Sequence, residues 1–137
     1  MSSLIICRGR NPGVPTQQRT DTFTGLVLGD PVLAGTDGIL INDVFFAPGA
    51  RTFWHSHERG QILTVVSGSG LICQHGGEIE VLNAGDLAWS PPGELHWHGA
   101  APATSMLHRA ISLGLTTWAS HVSDEEYEAP RVIGQDS

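Results

Sequence analysis

The chain contains no lysine. Its seven basic residues are all arginine, set against fourteen aspartates and glutamates, for a formal net charge of −7. No basic run exists, so nucleic-acid binding has no electrostatic basis. Part of the acidic excess is local (Asp124, Glu125, Glu126 and Glu128) and reads as a solubility feature. Charged residues make up only 15%, too few for a helical bundle with a solvated outer face. Two cysteines, Cys7 and Cys73, make no disulfide framework. Cys73 sits in an apolar run and is expected to be a buried thiol; nothing in the sequence fixes the exposure of Cys7. Long hydrophobic runs are missing as well. Leu4-Ile5-Ile6 is the only apolar stretch of the first ten residues, too short for a signal-peptide core or a membrane span. The expectation is a cytoplasmic protein with neither a membrane nor a nucleic acid as partner.

A length of 137 residues favours one domain, large enough to bury roughly two-thirds of its unfolded surface. With 17 glycines, 8 prolines and 40% hydrophobic residues, the composition fits short strands joined by tight turns. Residues 1–22 read as an irregular arm, 23–128 as the folded body and 129–137 as a tail. Strand-like segments fall at Gly25–Leu28, Gly38–Ala47, Arg51–His57, Gln61–Ser67, Leu71–Gln74, Glu78–Leu82, Leu87–Ser90, Leu95–His98 and Thr104–Leu113. Gly68-Ser69-Gly70, His75-Gly76-Gly77, Asn83-Ala84-Gly85-Asp86 and Pro91-Pro92-Gly93 read as turns, with Asp86 structural. Strands at this spacing, with no alternating helices, predict an antiparallel sandwich or barrel. Ser123-Asp124-Glu125-Glu126 reads as a capping box that opens one short helix.

Seven histidines stand out in a chain with so few charges. His55 and His57 are separated by one residue on a strand, so both face one side; His96 and His98 repeat the arrangement. A bend at Glu58-Arg59-Gly60 can return Gln61 to the side of the first pair. Imidazoles brought together from two strands make a site for a divalent Mn, Fe, Co, Ni, Cu or Zn ion.

These residues also carry a resemblance. Gly49, then His55-Ser56-His57, Gln61 and Gly68 follow the spacing of the first cupin motif. Gly85, Pro91, Gly93 and His96 follow that of the second. The resemblance covers roughly residues 23–128 and implies an all-β cupin double-sheet jelly-roll barrel with one metal inside, held by His55, His57, Gln61 and His96. Two positions depart from the family pattern: Gln61 stands where a glutamate is usual, and Ala100 where an asparagine is usual. With Gln61 as ligand, all four protein ligands are neutral and the ion keeps its full charge, which favours anionic oxygen or cyanide ligands.

Pro48-Gly49-Ala50-Arg51-Thr52, Trp54-His55-Ser56-His57, Pro92 through Pro102 and His121 through Tyr127 resemble the manganese-dependent bacterial hydroxynitrile lyases, whose sequences are in turn similar to uncharacterised cupins and metal-dependent polyketide cyclases. The implied function is lyase cleavage of a small hydroxyl or carbonyl compound of the cyanohydrin type, with one divalent ion, Mn first and Fe, Zn, Ni or Co as alternatives. The rival readings are an iron dioxygenase, a zinc polyketide cyclase and a non-catalytic small-ligand binder. The resemblance also implies a homodimer or homotetramer.

Met106, His108, Ala110 and Ser112 share a strand face. If that face lines the barrel, His108 is a neutral histidine near the metal and a candidate general base. Three roles stay open for His98: orienting substrate, serving as a fifth ligand, or standing at the pocket mouth. Asn42, Val44, Phe53 and Met106 are the expected pocket walls. Trp54, Trp89 and Trp97 point away from the ligand face by parity. His75 and His121 have no argument for catalysis.

Overall fold

The computed structural model describes residues 3–132. Its thirteen strands are β1 (Gln17–Gln18), β2 (Phe23–Thr24), β3 (Val27–Thr36), β4 (Ile39–Phe46), β5 (Arg51–Thr52), β6 (His55–His57), β7 (Gln61–Gln74), β8 (Ile79–Asn83), β9 (Leu87–Ser90), β10 (His96–Ala100), β11 (Met106–Leu113), β12 (Thr116–Trp118) and β13 (Arg131–Val132), with α1 (Asp124–Tyr127) between the last two. The central path runs β1-β3-β4-β11-β7-β10-β5-β2, and every described pairing is antiparallel except β8 with β13. This is an antiparallel barrel, as the strand spacing predicts, in the double-sheet form that the cupin resemblance implies. No helix among the described residues is long and apolar enough to cross a membrane.

One strand belongs to both sheets. The first half of β7 pairs with β11 and β9, and its second half with β10 and β8. The turn expected at Gly68-Ser69-Gly70 is therefore not a turn: strand runs unbroken from Gln61 to Gln74. The glycines serve close approach instead. Gly68 has φ +76°, and a Cβ there would meet the carbonyl oxygen of Ser105; a Cβ on Gly70 would meet the Met106 sulfur. The segment read as Gly25–Leu28 is likewise longer. Strand β3 continues through Pro31 and Gly35 to Thr36, with register shifts against β4 on either side of Leu33 that absorb those residues. The Arg51–His57 segment is split into β5 and β6. Within the first 22 residues, β1 pairs with β3 and Arg10 Nε donates to Asp30 at 2.9 Å.

Alternation sorts the side chains into two apolar clusters. Val27, Val44, Phe46, Val65, Leu82 and Met106 fill the space between the sheets. Trp54, Leu71, Cys73, Ile79, Trp97, Val122 and Tyr127 form a second cluster on the other face of β7 and β10, under α1. The Trp54 and Trp97 parity reading agrees with this placement, and Trp89 is half exposed at 51%. The capping box is present: Ser123 Oγ accepts from the Glu126 amide, and the Glu126 carboxylate accepts from the Ser123 amide. Tyr127 Oη donates to Ala100 O at 2.6 Å, and the buried Arg51 guanidinium lies 4.5 Å over its ring. The Arg51–Asp124 ion pair adds little, because the Asp124 side chain is 88% exposed.

Candidate metal centre

The two histidine doublets meet because β6 and β10 pair in a register that sets His96 opposite His55. Within each strand the i, i+2 spacing keeps both rings on one side. All four imidazoles are buried, at 1–3% exposure. The ring centroids of His55 and His96 are 4.3 Å apart, those of His55 and His57 5.0 Å, and those of His57 and His96 5.5 Å. His55, His96 and His98 each offer a ring nitrogen within 4.8 Å of the others. Gln61, at the start of β7, is buried beside them, with Oε1 3.2 Å from His96 Nε2. His108 on β11 completes the group, its Nε2 3.0 Å from His98 Nδ1.

The surrounding backbone fixes which nitrogen carries the proton. His55 Nδ1 donates to Phe53 O at 2.8 Å, and His96 Nδ1 donates to Glu94 O at 3.2 Å. A carbonyl oxygen can only accept, so each of these neutral rings has its proton on Nδ1 and a bare lone pair on Nε2. Gln61 Nε2 donates to Ser112 Oγ at 3.0 Å, which turns Oε1 toward the histidines. His96 Nε2 and Gln61 Oε1 are thus two acceptors facing one another with no proton between them. His57 Nδ1 is engaged by Thr116 Oγ1 at 3.0 Å, while His57 Nε2 is buried without a partner among the described residues, as is His98 Nε2. The buried lone pairs of His55 Nε2, His96 Nε2 and Gln61 Oε1 are unfavourable in an apolar shell and become favourable around a cation. The donor set of imidazole nitrogens and one amide oxygen suits a first-row divalent ion.

Electrostatics agree with neutral rings. Burial pushes His55 and His98 well below the usual histidine range, reinforced by neighbouring imidazoles, and lowers His96 as well. It brings His57 and His108 down to about 4. Proton competition for the lone pairs is therefore weak at neutral pH.

The expected pocket walls lie in different places. Val44 and Met106 belong to the interior apolar cluster, and Asn42 is half-buried on β4 opposite Ala110 of β11. Phe53 lies in the break between β5 and β6, its ring 6.1 Å from that of His121. A cavity of about 500 Å³ reaches His96 from the side of β8 and β9; Ile72, Ala88 and Ser90 line it together with the carboxylates Glu80 and Glu94, and none of the four expected wall residues does. Acidic groups thus stand in the approach to His96, outside the cluster of neutral imidazoles and the Gln61 amide.

Two supporting residues had no reading in the sequence. Thr116 holds His57 from β12, a three-residue strand that follows Gly114 and carries too little pattern to be recognised. Thr52 Oγ1 accepts from the His98 backbone amide at 3.2 Å, which fixes the second histidine doublet against β5. Ser112 was on the His108 face by parity, but its contact with Gln61 had no local signal.

Residues 42–108 match the family described as Cupin domain. The (R)-mandelonitrile lyase of Granulicella tundricola is 47% identical over 113 residues, covering 78% of this chain and 86% of that one. Among solved structures, a cupin-like protein from Thermotoga maritima is similar at a TM-score of 0.77 and 35% identity, covering 92% of this chain and 95% of the other. A polyketide cyclase from Streptomyces resistomycificus shares the fold at a TM-score of 0.66 and 18% identity, covering 93% of this chain and 92% of its own.

Proposed function

The chain belongs to the cupin family, and from that premise we propose that it is a metal-dependent lyase that splits a small cyanohydrin into a carbonyl compound and hydrogen cyanide. The observation that carries the reading is the facing pair of acceptors, His96 Nε2 and Gln61 Oε1, 3.2 Å apart in a buried shell. His55, His57, Gln61 and His96 would hold the divalent ion. When bound, the ion supplies Lewis-acid stabilisation to an oxygen that gains negative charge, undiminished by any carboxylate among its protein ligands.

The remaining chemistry falls to His98 and His108. Both are fully buried and neutral, and they share one hydrogen bond. Two neutral rings carry two ring protons. One lies between the rings, so of the outer nitrogens, His98 Nε2 and His108 Nδ1, one presents a lone pair and the other an N–H. Neither outer nitrogen has a partner among the described residues. The lone-pair end takes the hydroxyl proton of the substrate. The bond to the nitrile carbon breaks with its electron pair leaving as cyanide, and the C–O bond becomes a carbonyl. The N–H end then protonates cyanide while the proton between the rings shifts, so each ring ends neutral. The 47% identity to a protein named (R)-mandelonitrile lyase supports mandelonitrile as the first substrate to try.

Elemental analysis of protein purified without chelator, followed by cyanide release from mandelonitrile, tests the reading. One equivalent of a divalent ion and cyanide release abolished by a chelator are expected. Oxygen uptake with Fe(II) on a β-dicarbonyl or aromatic substrate, with no cyanide release, would overturn it in favour of an oxygenase.

A further inference from the structure

We propose that Ser112 is a positioning residue for metal uptake: its hydroxyl holds the Gln61 side-chain amide with the oxygen, rather than the nitrogen, facing the imidazoles. The inference rests on the reading of this cluster as a metal centre and concerns how that centre is kept in a binding-competent state.

An amide has two ends of nearly equal size and opposite polarity. With Oε1 toward the histidines, Gln61 presents a lone pair to a cation; turned over, it presents an N–H₂ that repels one. Nothing in the covalent geometry of glutamine selects between these orientations, so the neighbours must. Gln61 is 3% exposed, so its amide relies on neighbouring groups rather than bulk solvent. Its Nε2 donates to Ser112 Oγ at 3.0 Å, and Ser112 is itself buried at 7%.

The competing partner for Nε2 is His96 Nε2. Because His96 Nδ1 donates to Glu94 O, its Nε2 is a bare acceptor, and it already lies 3.2 Å from the near end of the amide. Without the serine oxygen, the amide gains by turning its N–H₂ onto that lone pair. The metal-free site would then close on itself with an N–H···N bond that occupies one ligand and reverses another. Ser112 supplies the acceptor that makes the open orientation the satisfied one. It shares the inward face of β11 with His108, and the Ser112–Gln61 register between β11 and β7 places it opposite the glutamine. A glutamate at position 61 would need no such partner, because both ends of a carboxylate are oxygens.

That difference supplies the test: a double-mutant cycle on Mn(II) affinity, measured by competition with a chelating indicator on metal-free protein, with no turnover involved. Ser112→Ala should weaken Mn(II) binding by ~10- to 100-fold, as is typical when the partner of a metal ligand is removed. Ser112→Thr, which keeps the hydroxyl, should restore most of the affinity. In a Gln61→Glu background the same Ser112→Ala change should cost less than ~3-fold. Melting temperatures of the metal-free variants report any general loss of packing, which would be alike in both backgrounds. An equal affinity loss with Gln61 and with Gln61→Glu, or no loss with Gln61, would overturn the role of Ser112 while leaving the metal centre intact. A wild-type protein that takes up no Mn(II) would overturn the centre and this inference together.

Discussion

A single imidazole decides whether the cluster is a set of ligands or a set of packed rings. His96 presents its lone pair to Gln61 and has its other nitrogen fixed by Glu94 O. His96→Ala should therefore leave protein with less than about a tenth of the wild-type metal content, because removing a ligand costs more than removing its outer partner. Undiminished metal in elemental analysis of that variant would defeat the ligand assignment. His108 reaches the cluster through its hydrogen bond to His98. His108→Ala is expected to retain the ion and to lose ~10²-fold or more in turnover, the ordinary contribution of a positioned acid–base group. Full cyanide release by a metal-replete His108→Ala protein would move the proton transfer to His98 alone.

The long strand β7 ties the candidate metal centre to the fold. Its first residue is Gln61, and its middle crosses from one sheet to the other at Gly68. Gly68→Ala places a Cβ in the left-handed region and against Ser105 O. The variant should lose about 2 kcal/mol or more, combining the left-handed backbone cost with displacement of the neighbouring strand start. A urea midpoint within error of wild type would show that the crossing tolerates a side chain. The same glycines explain why the local sequence reads as a turn while the strand runs on. Gly-Ser-Gly is a turn signal when only neighbours are considered, yet here it marks where backbones approach too closely for side chains. By contrast, Ser123 and Glu126 were legible in advance, since a capping box closes within three residues and needs no distant partner. The i, i+2 histidine doublets were legible for the same reason.

Over the whole molecule, five buried neutral histidines link stability to pH. His57 and His108 are brought down to about 4, and His55, His96 and His98 are also lowered. Above the unfolded value of about 6.5 these groups are neutral in both states and contribute nothing to the pH dependence. Below it the unfolded chain takes up protons that the folded chain refuses, so stability falls as the pH falls, for His57 and His108 down to about 4. The melting temperature of metal-free protein should thus drop between pH 6.5 and 5, a window above the lowered carboxylates Asp30 and Glu126. Saturating Mn(II) should raise it at pH 7, by an amount equivalent to ~2.7 kcal/mol at a hundred times its Kd, and the gain should shrink as protons compete for the same nitrogens. Thermal scans with and without chelator check both signs. A flat pH response of the metal-free protein would mean that these rings are not buried neutral.

The amino-acid order by itself determined what depends on near neighbours: strands from alternation, most turns from glycine and proline, the helix cap, and the shared facing of each histidine doublet. It also carried the motif spacing that belongs to the family. Only the tertiary structure decided what the doublets face. His55 meets His96 through the β6–β10 register, Gln61 finds Ser112 from 51 positions away, and His57 finds Thr116 from 59. Such pairings follow from how two sheets close over a common core, a long-range balance of packing and register that no local window of residues contains. The convergence of the buried imidazoles and the Gln61 amide is a property of that closure.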